Sequence, residues 1–135
     1  MLDNLIQQDI KSNKIINLDD YAGKYLFIDF WGSWCLPCLQ QIPLLTEIYK
    51  EVDISKIDFV GIAGRDKYND ALKVINDHNI TWKNILSTEG NNLTDIFNVV
   101  KYPTGMLINP EGKIIEKDIH GVELIRYLRK YNLLK

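Results

Sequence analysis

The chain has two cysteines, Cys35 and Cys38, in the stretch Phe27-Ile28-Asp29-Phe30-Trp31-Gly32-Ser33-Trp34-Cys35-Leu36-Pro37-Cys38. Two thiols so spaced, directly after an apolar run, suit a structural crosslink, a metal clamp or a disulfide that is made and broken in turn. A crosslink closing so short a loop removes little chain entropy and stabilises little. Structural zinc takes four ligands, whereas the chain has no second Cys-x-x-Cys and only two histidines, His78 and His120. A soft ion such as Cu(I) accepts two thiolates, and His120 is available as a third ligand. A copper-carrying module using Cys35, Cys38 and His120 therefore stays open beside disulfide exchange.

Exchange places definite demands on the two sulfurs. At a strand-to-helix junction the first thiol sits at the helix N-terminus, where unpaired N–H groups and the helix dipole favour negative charge. The thiolate is the attacking form, so Cys35 is the expected nucleophile. Cys38, one turn inward, is the more buried resolving thiol that breaks a mixed disulfide. Pro37 presets the first turn and has no N–H to leave unpaired.

The elements that must hold these groups are readable from pattern. Leu5 to Asp9 and Lys14 to Asn17 read as a hairpin around Lys11-Ser12-Asn13. Tyr25 to Trp31 and Ile57 to Ala63 are apolar almost throughout, as in central strands covered on both faces. Between them Leu39, Ile42, Leu45 and Tyr49 recur at helical spacing, with Pro43 expected to kink the helix. Asp66 to His78 predicts a helix with Ala71, Leu72 and Ile75 inward. Asn84 to Leu86 predicts a strand and Asn92 to Asn98 a short helix. Thr104 to Asn109 and Lys113 to Asp118 form a second hairpin through Asn109-Pro110-Glu111-Gly112, a type I turn sequence. From Gly121 onward, Val122, Ile125 and Leu128 mark a closing helix. The result is an α/β fold with a mixed central sheet and helices on both faces, expected as a single domain over residues 1–135.

Composition narrows the function. With 135 residues and 46% hydrophobic content, the chain can bury a core without crosslinks or metal. A net charge of −2 without a basic cluster argues against nucleic acid as partner. No apolar run approaches the ~20 residues of a membrane span, and Met1 to Lys14 lacks the pattern of a secretion signal. Taken literally this places the protein in the cytoplasm, unless the chain is a mature or excised domain.

The stretch quoted above, the later Tyr102-Pro103-Thr104-Gly105-Met106-Leu107-Ile108 and the ending from Asp118 to Leu128 resemble the thioredoxin-like superfamily. Within it they are most similar to TlpA/ResA-like thiol-disulfide oxidoreductases of bacterial cell envelopes, over residues 5–134. The resemblance implies a thioredoxin-like sheet with a leading hairpin and an extra helix-strand insertion. It implies a redox-active Cys35–Cys38 disulfide as the only redox group, with no cofactor and no resident metal. It places Asp29 beneath the site, where a buried carboxyl with a raised pKa accepts the Cys38 proton through water; an outward or salt-bridged aspartate is the alternative. Composition alone gives a trans Tyr102–Pro103 bond; the resemblance gives cis, leaving the Tyr102 backbone free to pair with an extended substrate. It also gives Pro103 a part in discouraging metal binding.

Trp34, Pro37, Tyr102, Pro103 and Thr104 form the implied substrate surface, while Trp31 is core. Gly121 corresponds to a glycine of close backbone approach, or simply starts a helix. Two departures stand out. Leu36 replaces the glycine of thioredoxin's own motif, and the envelope members' acidic residue has no clear match in Gly61 to Asp66, where Arg65 and Asp66 lie near the cleft or on the surface. A peroxidase on this fold would carry threonine three residues, and proline seven residues, before its cysteine; here those places hold Gly32 and Ile28. The implied role is a monomeric reductant of protein cysteines in the envelope, fed by an upstream partner in the membrane and serving substrates such as apocytochrome c.

Overall fold

The computed structural model describes residues 6–135, so Leu5 of the expected first strand lies outside the described residues. Short strands β1 (Ile6–Gln8) and β2 (Ile15–Asn17) pair antiparallel. A 3-10 turn, Leu18–Tyr21, leads to the central strand β3 (Tyr25–Trp31). Helix α1 (Leu36–Glu51), strand β4 (Ile57–Ala63), helix α2 (Tyr68–Asp77) and strand β5 (Lys83–Leu86) follow. Helix α3 (Leu93–Ile96), strands β6 (Thr104–Ile108) and β7 (Ile114–Glu116) and helix α4 (Gly121–Lys130) complete the fold. The sheet order is β5-β4-β3-β6-β7, parallel from β3 through β5 and antiparallel from β3 through β7.

β3 lies at the centre because both of its faces are apolar. Phe27 and Trp31 point to a core made with Ile42, Leu45 and Ile48 of α1, Ala71 and Ile75 of α2, and Leu124 and Leu128 of α4. Leu26, Ile28 and Phe30 point the other way, to Ile16, Leu18, Leu93 and Phe97. Helices thus cover both faces, with the short α3 on the second. Helix α1 continues through Pro43, which leaves the Leu39 carbonyl without its intrahelical donor.

Helix α2 starts at Tyr68, two residues later than its sequence pattern suggests. Arg65 is in the left-handed region at φ 52°, and the Asp66 carboxylate is held by Ser33 of another segment. Lys67 is the N-cap with extended backbone, φ −109° and ψ 145°, so Arg65 and Asp66 both precede the helix.

A buried polar knot ties the leading hairpin to the sheet. Asp9 accepts the Asn84 N–H at 2.9 Å, Ile10 N–H donates to the Asn84 carbonyl at 2.9 Å, and Trp31 Nε1 donates to Asn84 Oδ1 at 2.9 Å. Gly61 lies between, where a Cβ would collide with that same amide oxygen. Removing the amide strands a buried indole N–H, whose desolvation costs ~1–3 kcal/mol. Asn84→Ala should therefore lower the unfolding free energy in urea by about 2 kcal/mol; an unchanged midpoint would show that the knot is not needed.

Candidate functional site

The site forms where β3 ends and α1 begins. Gly32 turns the chain, because any Cβ there would strike the Trp34 indole. Cys35 is the N-cap of α1, with Leu36 and Pro37 the first two helical residues. Its sulfur accepts the Cys38 N–H at 3.2 Å, the contact a serine or threonine oxygen makes at an ordinary N-cap. Pro37 donates nothing and needs no partner. Cys35 and Cys38 form a disulfide across this first turn, with Cα atoms 5.2 Å apart. Both sulfur-bearing residues are largely covered, Cys38 at 2% exposure and Cys35 at 4%, so the expected order holds by a narrow margin.

Asp29 shares the face of β3 that carries Phe27 and Trp31, beneath α1. It is buried, and its Oδ1 has no hydrogen-bond partner. Its cross-strand neighbours on both sides, Gly61 and Gly105, have no side chain to offer. The Cβ position of Gly105 is filled by the Ile119 carbonyl and the Phe27 ring. Burial with no cation at hand disfavours the carboxylate and pushes the Asp29 pKa up from 3.8 to about 7. The inward orientation is the one a proton acceptor requires.

Trp34 is the exposed rim, 49% accessible. Its Nε1 donates to the Gly64 carbonyl at 3.0 Å, and Tyr102 packs edge-on against it at 5.2 Å. The Tyr102–Pro103 bond is cis, and no hydrogen bond occupies the Tyr102 backbone among the described residues. Burial raises the Tyr102 phenol pKa above its ordinary value. Thr104 lies elsewhere than expected. It pairs with Phe30, on the opposite face of the sheet from the disulfide, and its hydroxyl donates to the Lys101 carbonyl at 2.7 Å. Its side chain braces the loop around Pro103 from behind.

Two braces of the site were not among the sequence expectations. The Asp66 carboxylate accepts Ser33 N–H at 2.6 Å and Ser33 Oγ–H at 2.7 Å, two residues before Cys35. Gln41 Oε1 accepts the Gly121 N–H at 2.9 Å, joining α1 to the start of α4, and a Cβ on Gly121 would meet Leu44 at 2.8 Å. Gly121 is thus both a helix start and a close approach. The first brace had a signal: strands β3 and β4 are parallel neighbours, so the loops leaving their ends must meet.

His120 is exposed before α4, its N–H donating to Glu123 at 3.2 Å. Among the described residues no group of three or more His, Cys, Asp or Glu is placed to hold a metal ion. Also among these residues, no helix is long and apolar enough to cross a membrane.

A family model for AhpC/TSA matches residues 4–117. The chain belongs to the AhpC/TSA family. It is 29% identical over 133 residues to the thiol-disulfide oxidoreductase ResA of Bacillus subtilis, covering 98% of this chain and 73% of that protein. Among solved structures it is similar to the thioredoxin domain of a thiol-disulfide oxidoreductase from Bacteroides vulgatus, with TM-score 0.85 and 25% identity, covering 94% of this chain and 91% of that one. A secreted Mycobacterium tuberculosis disulfide oxidoreductase shares the fold at TM-score 0.79 and 19% identity, covering 93% and 95%.

The Asp29 carboxyl sets a pH dependence. Its folded-state pKa of about 7 exceeds the ordinary 3.8, so between about pH 4 and pH 7 the folded chain binds more protons than the unfolded one. Stability from this group is complete below about pH 4, falls as pH rises toward 7, and is then level. Asp29→Asn should gain on the native protein by a few kcal/mol across that window, read from urea unfolding at pH 4, 6 and 8. Parallel curves would contradict an uncompensated carboxyl.

Proposed function

We propose that this chain acts as a reductant of protein disulfides in a cell envelope, fed by an upstream membrane partner and serving protein substrates such as apocytochrome c. The reaction class underlying that role is thiol–disulfide exchange, and the chain is a thiol-disulfide oxidoreductase. The observation that carries the reading is the Cys38 N–H aimed at the Cys35 sulfur. In the reduced protein the same N–H faces the ionised sulfur, and hydrogen bonds to an anion favour it.

The steps balance as a two-electron transfer. The Cys35 thiolate attacks one sulfur of a substrate disulfide, forming a mixed disulfide and releasing a substrate thiolate. Cys38 then loses its proton to the Asp29 carboxylate and attacks the Cys35 sulfur. The Cys35–Cys38 bond forms, the mixed disulfide breaks, and the second substrate thiolate leaves. The substrate chain pairs with the unoccupied Tyr102 backbone as an added strand, and Trp34 and the exposed Pro37 and Leu36 give contact area. Resemblance to the TlpA/ResA-like proteins supports the direction of electron flow and the location.

Cys35→Ser should abolish insulin reduction, and Cys38→Ser should accumulate the mixed disulfide on a non-reducing gel. The Cys35–Cys38 potential, equilibrated against dithiothreitol, should lie near the thioredoxin end at ~−270 mV. A value near ~−120 mV, where strong oxidants lie, would reverse the proposed direction.

A further inference from the structure

The exchange steps use no residue of the loop after β4, yet one is held there in an unusual way. Seven non-glycine residues among those described have positive φ, and six are Asn or Asp, which tolerate it. The seventh is Arg65. Its neighbours fix it from both sides, Gly64 through its carbonyl on Trp34 Nε1 and Asp66 through Ser33. The guanidinium lies over the Trp34 ring, 5.5 Å from its centroid. Asp66 is spent on neutral donors, and among the described residues no carboxylate lies within ion-pair distance of Arg65. The side chain is exposed. A guanidinium stacked on an indole still offers its N–H edge, a planar fork that matches a carboxylate.

We infer that Arg65 is a recognition site for an acidic side chain of the protein substrate, an Asp or Glu beside the cysteine that is attacked. The inference rests on the exchange reading. Trp34 precedes Cys35 and packs against Tyr102, so Arg65 stands beside the line along which an extended substrate would run. Residues in such a strand advance only ~3.3 Å each, so the candidates are the residues that directly flank the substrate cysteine.

The test uses three disulfide-linked peptides that differ only in carrying Glu, Gln or Lys beside the cysteine, each mixed at low salt in a single turnover with the full chain reduced beforehand to the Cys35–Cys38 dithiol by dithiothreitol and freed of it. The Glu peptide should exceed the Lys peptide in second-order rate constant by about fivefold, the size of a partly exposed ion pair, and high salt should erase the difference. The Glu-to-Lys ratio should fall to about one in Arg65→Gln, invert in Arg65→Glu and persist in part in Arg65→Lys. Equal rates for all three peptides in the unaltered protein, or a preference that survives Arg65→Glu, would overturn the inference. Reduction of the uncharged 2-hydroxyethyl disulfide separates the two readings. If it proceeds while charge makes no difference, the recognition site alone fails; if it does not proceed, the exchange reading fails and takes the site with it.

Discussion

The first turn of α1 leaves backbone N–H groups with no carbonyl to receive them, and the Cys35 sulfur takes up the one from Cys38. The reactive atom and the helix cap are therefore one group. Much around the site serves that position: Gly32 allows the turn that brings Cys35 to the cap, Asp66 holds Ser33 just before it, and Gln41 anchors the helix against α4. A sulfur displaced from the cap would lose the donor that favours its anion.

Beneath that cap the protein tolerates a buried acid with no counter-charge. Gly61 and Gly105 flank Asp29 on the two adjacent strands, and the space their side chains would fill is taken by Asn84, Trp31, Phe27 and the Ile119 carbonyl. The knot that anchors the hairpin thus also walls in the Asp29 carboxyl. Its cost in stability is the counterpart of a carboxyl that can exchange a proton near neutral pH.

Local pattern carried much of this fold. Strands β3 and β4 run over the residues their apolar stretches mark, because burial on both faces leaves an unbroken signature. The same burial hid the orientation of Asp29, since Ile28 and Phe30 are as covered as Phe27 and Trp31 and alternation says nothing. The cysteine pair and the Tyr102-Pro103 turn were legible as motifs. The contacts of Asp66, Arg65, Gln41 and Asn84 were not, because each joins segments far apart in the chain. Parallel pairing of β3 with β4 brings the first two to the site. The start of α2 is set by Lys67, whose extended backbone makes it the N-cap and leaves Asp66 outside the helix.

The hydrogen bonds between the hairpin and Asn84 reach further than local anchoring. On the outer rim of β5 the Asp9 carboxylate accepts the Asn84 N–H and the Ile10 N–H donates to the Asn84 carbonyl, so that residue of the edge has no backbone group left to offer another polypeptide. Unpaired strand edges invite intermolecular association, and the other border, β7, is only three residues long. Both borders of the sheet are in this way poor templates for a further strand.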